Sequence, residues 1–226
     1  MKNQQKLKKL EVEYDALQKL YGAEDLNSIY NGGDSDHPKV CFIFMNPTGR
    51  NIASDKAWKG IRAPWLGTKN IWKLFTEIGL FDPKLMQEIK TKRAKDWDPL
   101  FAKEVYQEVA KNHIFITNLG KCTQVDARAL KDEVLKSYLA LLEQEIDIIK
   151  PQMIIAFGNQ VSSIFLHQKI SVSSCRKKYF EKKIGTKTYK VFPVFYPVGN
   201  GTFHYEEAVE DLKEIIATYL DPLEIK

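Results

Sequence analysis

Short apolar runs alternate along this chain with stretches whose apolar residues fall three and four apart, and that alternation restricts the fold more than any other feature. The runs are Lys39 to Met45, His113 to Thr117, Gln152 to Phe157 and Val191 to Tyr196, each too short for a helix and apolar enough for a buried strand. Between them, Leu135, Leu139, Leu142, Ile146 and Ile149 mark one helix, which ends before Pro151. Ile71, Leu74, Phe75 and Ile78 mark another, with Thr68 as its cap and Gly79 at its end. An amphipathic first helix carries Leu7, Leu10, Tyr14, Leu17 and Tyr21. A charged helical insertion is expected from Pro83 to about Pro99, then a helix from Pro99 to Lys111. Val161, Ile164 and Phe165 belong to a short helix, and Val209, Leu212, Ile216 and Tyr219 to a closing one. Gly32 to Pro38 reads as a loop; Tyr179–Ile184 and Thr188–Val191 read as a hairpin around Gly185-Thr186-Lys187. Strands alternating with helices imply a parallel sheet covered on both faces. The expected fold is α/β, a three-layer α/β/α sandwich with a central, mostly parallel four-stranded sheet. One domain over 1–226 is enough, with an N-terminal helix at about 5–22 and a core at about 39–220.

Two loops follow such strands: Met45-Asn46-Pro47-Thr48-Gly49-Arg50-Asn51 and, far downstream, Pro197-Val198-Gly199-Asn200-Gly201. In open parallel sheets, ligands bind outside the carboxyl ends of the strands. The two loops therefore point to one site built from residues distant in sequence.

Composition narrows the classes. With 226 residues, 44% of them apolar, the chain can bury a substantial core, and it has no run of eighteen apolar residues to cross a membrane. The opening Met1-Lys2-Asn3-Gln4-Gln5-Lys6 lacks an apolar signal core, so secretion is not expected. Cys41, Cys122 and Cys175 are odd in number and lack C-x-x-C spacing, which argues against a disulfide framework and a four-cysteine metal site; a reducing cytoplasm fits best. His37, His113, His167 and His204 are scattered without metal-ligand spacing, so no metal is expected. The phosphate loop, the dinucleotide fingerprint and the G-x-S-x-G elbow are all missing from the sequence. Chemistry is left to amides, aromatics, backbone groups and water. The net charge of +5 permits an anionic partner. Basic residues gather at Lys90 to Lys95 and from Arg176 to Lys190, either as solvated loops or as a nucleic-acid face.

Four segments, in order, resemble the uracil-DNA glycosylase superfamily. Phe42 to Gly49 is similar to its water-activating loop, in the version with Asn before Pro. Arg62-Ala63-Pro64-Trp65-Leu66-Gly67 resembles the loop whose aromatic residue stacks on the base. Ile116 to Cys122 is similar to the strand end whose Asn reads the base edge, and Val191 to Pro197 to the final strand and the DNA-intercalating loop. The resemblance covers roughly residues 39–215. It implies a monofunctional DNA glycosylase that hydrolyses the N-glycosidic bond of uracil or a related deaminated base. Implied with it are single-stranded or mispaired DNA as partner, a monomer and no cofactor. Some branches hold an iron–sulfur cluster through four cysteines; this chain has three and carries Tyr138 in the helix region of one ligand, so no cluster is expected.

The residue types suit that chemistry. Hydrolysis passes through an oxocarbenium-like sugar, so the water needs orientation more than activation. The Asn46 amide can hold that water and Pro47 can stiffen its loop; the plain alternative is an Asn that only caps the turn. Asn118 offers a donor pair and an acceptor that match N3–H and O4 of uracil, or it caps backbone after a strand. Trp65 either stacks on an extruded base or closes the core beneath its loop. Many family members have His where this chain has Tyr196. Either its phenol or His204, eight residues on, is the candidate to stabilise the departing base. Gly199, Asn200, Gly201 and Thr202 offer backbone N–H groups to phosphates beside the lesion and Val198 a modest wedge, or they form a Gly-rich turn. Two other readings stay open: a non-catalytic nucleic-acid-binding member of this fold, and a hydrolase of a small nucleoside-like substrate.

Overall fold

The four apolar runs form four neighbouring parallel strands. In the computed structural model, which describes residues 2–128, 130–198 and 203–220, the chain runs α1 (Lys2–Tyr21), β1 (Asn31–Gly33), β2 (Val40–Phe44), α2 (Asn70–Glu77), α3 (Pro83–Thr91), α4 (Pro99–Lys111), β3 (Ile114–Asn118), α5 (Asp132–Ser137), α6 (Leu139–Ile149), β4 (Met153–Phe157), α7 (Asn159–Leu166), β5 (Phe180–Ile184), β6 (Lys187–Val194) and α8 (Tyr205–Tyr219). The sheet order is β1-β3-β2-β4-β6-β5, parallel through the inner four and antiparallel at both edges.

β2, β3 and β4 are buried along their whole length, as apolar runs covered on both faces must be. Alternation along each strand divides them between two cores. Phe42, Phe44, Ile116, Phe157 and Phe192 pack with α2, α3, α4 and α8. Cys41, Ile43, Phe115, Ala156 and Val191 pack with α1, α5, α6 and α7. The three-layer arrangement follows directly. Among the described residues, no helix is long and apolar enough to cross a membrane.

The sheet has six strands where the apolar runs give four. β1 lies inside the stretch expected as a loop: a three-residue edge strand containing two glycines has no apolar pattern to read. Gly32 is required there, because a Cβ would stand 2.2 Å from the Tyr106 ring. The hairpin arm and the last core strand are one strand, β6, and the turn is Gly185-Thr186, since Lys187 already pairs with Ile184. Pro193 is tolerated in β6 because β5 reaches only to Val191, so the proline lies on a local edge.

The expected helix from Leu135 to Ile149 is two helices, with Tyr138 capping one and opening the other at φ −90°, ψ −11°. Nor does Thr68 cap α2; Lys69 holds that position, while the Thr68 hydroxyl donates to the Trp65 carbonyl at 2.7 Å. Gly79, at φ +76°, ends α2 as its glycine suggests.

Candidate active site

The carboxyl ends of the parallel strands converge on Phe44, the last residue of β2. Its ring stacks on Phe157 of β4 with centroids 4.5 Å apart and takes Trp65 edge-on at 4.9 Å and Tyr196 edge-on at 6.1 Å. Phe44 pairs in register with Asn118, the last residue of β3. The loops that follow these two strands then run together. Leu119 N–H donates to Phe44 O at 2.7 Å, Gly120 N–H to Met45 O at 2.8 Å and Gln124 N–H to Pro47 O at 3.1 Å. Trp65 and Tyr196 thereby meet one aromatic ring, with Asn118 in register beside it and Asn46 two residues past Phe44 along the chain.

Asn46 is half-buried behind buried Pro47. Its Nδ2 donates to the Pro47 carbonyl at 3.0 Å, so the turn-capping role is present. The same bond fixes the carboxamide, and among the described residues no donor engages its Oδ1. An oriented amide oxygen is what an attacking water needs from a side chain that cannot accept a proton.

Asn118 is 2% exposed, and its Nδ2 has no hydrogen-bond partner among the described residues. An orphaned buried donor costs about 1–3 kcal/mol. Such a group marks a place where a ligand acceptor would be welcome.

The Trp65 loop is held by its own backbone. Trp65 adopts φ +66°, a left-handed conformation uncommon for a bulky residue. Its carbonyl accepts from Thr68 N–H, Thr68 Oγ1 and, at 3.3 Å, Trp72 Nε1. The two carbonyls before it are fixed by buried groups: Ala63 O accepts from Asn51 Nδ2 at 2.9 Å and Pro64 O from the Tyr106 hydroxyl at 2.7 Å. The Trp65 indole N–H is buried without a partner among the described residues, a second orphaned donor beside the Phe44 ring. The ring also packs on the apolar core, so the core-closing role is real.

Tyr196 stands against Gly158, whose φ of +85° ends β4. Burial pushes the Tyr196 phenol well above its ordinary range, and a hydrogen bond with the Met45 main chain works weakly the other way. The hydroxyl is therefore protonated at neutral pH and able to donate. His204 is engaged elsewhere: it stacks on Phe195 at 4.2 Å, with Nδ1 3.1 Å from Glu207 Oε1. Val198, the expected wedge, is buried. Gly199, Asn200, Gly201 and Thr202 lie outside the described residues.

Beneath Asn118 sits a network that no motif announces. Lys121 and Glu145 are 1% and 0% exposed and paired at 2.9 Å. The Lys121 ammonium also donates to the Asn118 carbonyl at 2.8 Å and to Thr117 Oγ1. Glu145 accepts from Thr117 Oγ1 at 2.7 Å and Asn31 Nδ2 at 2.5 Å. Lys121 thus touches neither solvent nor any path to phosphate; it pins the turn after the proposed base reader to α6. A groove of about 740 Å³ between α1, β1 and α4 contains none of the candidate residues.

The sequence profile of the Uracil DNA glycosylase superfamily matches residues 31–218, which include all four segments around Phe44. The Type-4 uracil-DNA glycosylase of Sulfurisphaera tokodaii is 28% identical over 92 residues, 38% of this chain. The match spans about two-fifths of that protein, 41% of its length. With a profile match over most of its length, the chain belongs to the Uracil DNA glycosylase superfamily.

Proposed function

We propose that the protein is a monofunctional DNA glycosylase that removes uracil, or a related deaminated base, from DNA. The observation that carries this reading is the orphaned Nδ2 of Asn118, a donor buried at the end of β3 in register with Phe44, whose ring meets Trp65, Phe157 and Tyr196. A flipped uracil offers that donor its O4, and Trp65 offers the base a stacking face. Asn46 Oδ1 orients water against C1′. The water oxygen bonds to C1′ as the C1′–N bond breaks, and the base leaves with the electron pair. Tyr196 donates a hydrogen bond to the departing base, and the water's proton passes to solvent. Lys121, the lysine that follows Asn118 by three residues, is held by Glu145, Thr117 and the Asn118 carbonyl, which supports hydrolysis without a lyase step. On this reading the enzyme acts as a cytoplasmic monomer without cofactor or metal cluster, and the loop Gly199–Thr202 contacts the DNA backbone.

A second reading, a nucleic-acid-binding member without efficient chemistry, is favoured by the commitment of His204 to Phe195 and Glu207. Incubation with single-stranded, U·G and U·A oligonucleotides, followed by alkali, separates the readings. A glycosylase yields alkali-dependent breaks, fastest where flipping costs least, in single strands and mispairs. Binding without abasic sites would select the second reading. Turnover of free deoxyuridine but not of oligonucleotides would select a small-molecule hydrolase.

A further inference from the structure

The two basic clusters of the sequence differ in where they lie and in how much of their charge is paired. In the segment 176–190 most of the charge is held internally, with Lys178 and Lys183 left exposed. Arg176 pairs with Asp211 at 2.9 Å, Lys177 with Glu210 and Glu214 at 2.6 Å each, and Lys182 with Glu143 at 2.7 Å. Lys187 Nζ donates to the Pro151 carbonyl at 2.6 Å, and Lys190 lies over the rings of Tyr179 and Tyr219. That cluster braces the hairpin and α8.

The cluster at 90–95 belongs to an insertion that folds onto the rim of the candidate site. A Cβ on Gly67, two residues past Trp65, would stand 2.4 Å from Ile52 Cγ2 and 3.5 Å from Ala94 Cβ. Lys69 Nζ reaches across to the Lys90 carbonyl at 2.6 Å. Three segments therefore meet beside Trp65: the loop after Asn46 through Ile52, the Trp65 loop through Gly67 and Lys69, and the insertion through Lys90 and Ala94. Each brings cations to the surface. Lys92 and Arg93 are paired with Glu88 and Asp96, at 3.3 and 2.9 Å. Arg50, Lys69, Lys90 and Lys95 are exposed, and among the described residues no carboxylate oxygen lies within 4.0 Å of their charges.

We propose that this lip is the phosphate-binding surface of the protein: Arg50, Lys69, Lys90 and Lys95 hold the backbone of the strand whose nucleotide enters past Trp65. The inference rests on the glycosylase reading for its ligand, a DNA strand, and names the face that positions it. Phosphate contacts of this kind set register and orientation without reading sequence. Each one neutralised releases counterions, so binding weakens with salt at a slope of about 0.9 per contact.

The test is equilibrium binding of a uracil-free DNA duplex, followed by fluorescence anisotropy from about 50 to about 200 mM salt. Wild type is compared with Lys90→Gln/Lys95→Gln and with Lys178→Gln/Lys183→Gln, two exposed lysines of the other cluster, all checked for folding by circular dichroism. The lip variant should bind more weakly, with a salt slope shallower by roughly 1.8, while the hairpin variant keeps the wild-type slope. An unchanged slope in the lip variant overturns the proposal, as does an equal change in both variants or an absence of binding by wild type. Uracil excision is measured separately. A lip-dependent slope without excision would leave the surface standing and remove the glycosylase reading; excision without a lip-dependent slope would do the reverse.

Discussion

Asn118 combines near-complete burial with an amide nitrogen that none of the described residues satisfies, and the two readings of this residue predict different outcomes for its removal. If the side chain serves the base, Asn118→Ala lowers single-turnover excision of uracil by roughly 5- to 150-fold, the equivalent of about 1–3 kcal/mol, and leaves stability within about 1 kcal/mol of wild type. If it only caps backbone, urea denaturation shows stability and activity falling together. Tyr196 carries a pH prediction. Burial raises its phenol pKa in the folded state, whereas an unfolded tyrosine ionises near ~10. Below that pH both states are protonated, and the group adds no pH dependence to stability. Above it the unfolded chain loses its proton first, so stability falls. The excision rate at saturating DNA should therefore show no basic limb from Tyr196 between about pH 6 and 9. Tyr196→Phe should lower the rate without changing the profile's shape; a wild-type rate in Tyr196→Phe with a reduced rate in His204→Ala would transfer the donor role to the histidine.

At the scale of elements, the inner strands were legible because each contains a short, mostly apolar run, and the loops at their ends because Asn-Pro and Pro-Val-Gly cannot continue a strand. β1 was not legible, since a Gly-rich edge strand is defined by its partner rather than its own pattern. The break at Tyr138 was hidden because the apolar stripe continues through it. The pair of Lys121 and Glu145 was hidden for a different reason: a lysine after a strand and a glutamate on a helix are ordinary surface residues until the fold buries them. Removing one partner of a buried pair leaves an uncompensated charge, so Lys121→Met should cost about 3–5 kcal/mol in urea denaturation. Lys121→Met/Glu145→Leu should recover much of that loss. A loss under about 1 kcal/mol in the single variant would mean that the network does not hold the Asn118 turn as described.

For the molecule as a whole, the parallel topology places every strand end of the inner sheet on one side, and the site follows from that placement. That the ends of β2, β3 and β6 lie at one edge of the sheet was foreseeable from the apolar runs, but the supports of the loops there were not: Asn51, Tyr106 and Lys121 act through carbonyls, which no motif displays. Charge is distributed unevenly as well, mostly braced against acids around α8, while Arg50, Lys69, Lys90 and Lys95 are exposed on the segments that meet beside Trp65. The most direct test of the account is single-turnover release of uracil from a U·G duplex by wild type and by Asn46→Ala, with binding to the same duplex measured in parallel. Loss of the orienting amide should slow release by about 10²-fold while DNA affinity is retained. Release at the wild-type rate by Asn46→Ala would contradict the account at its centre.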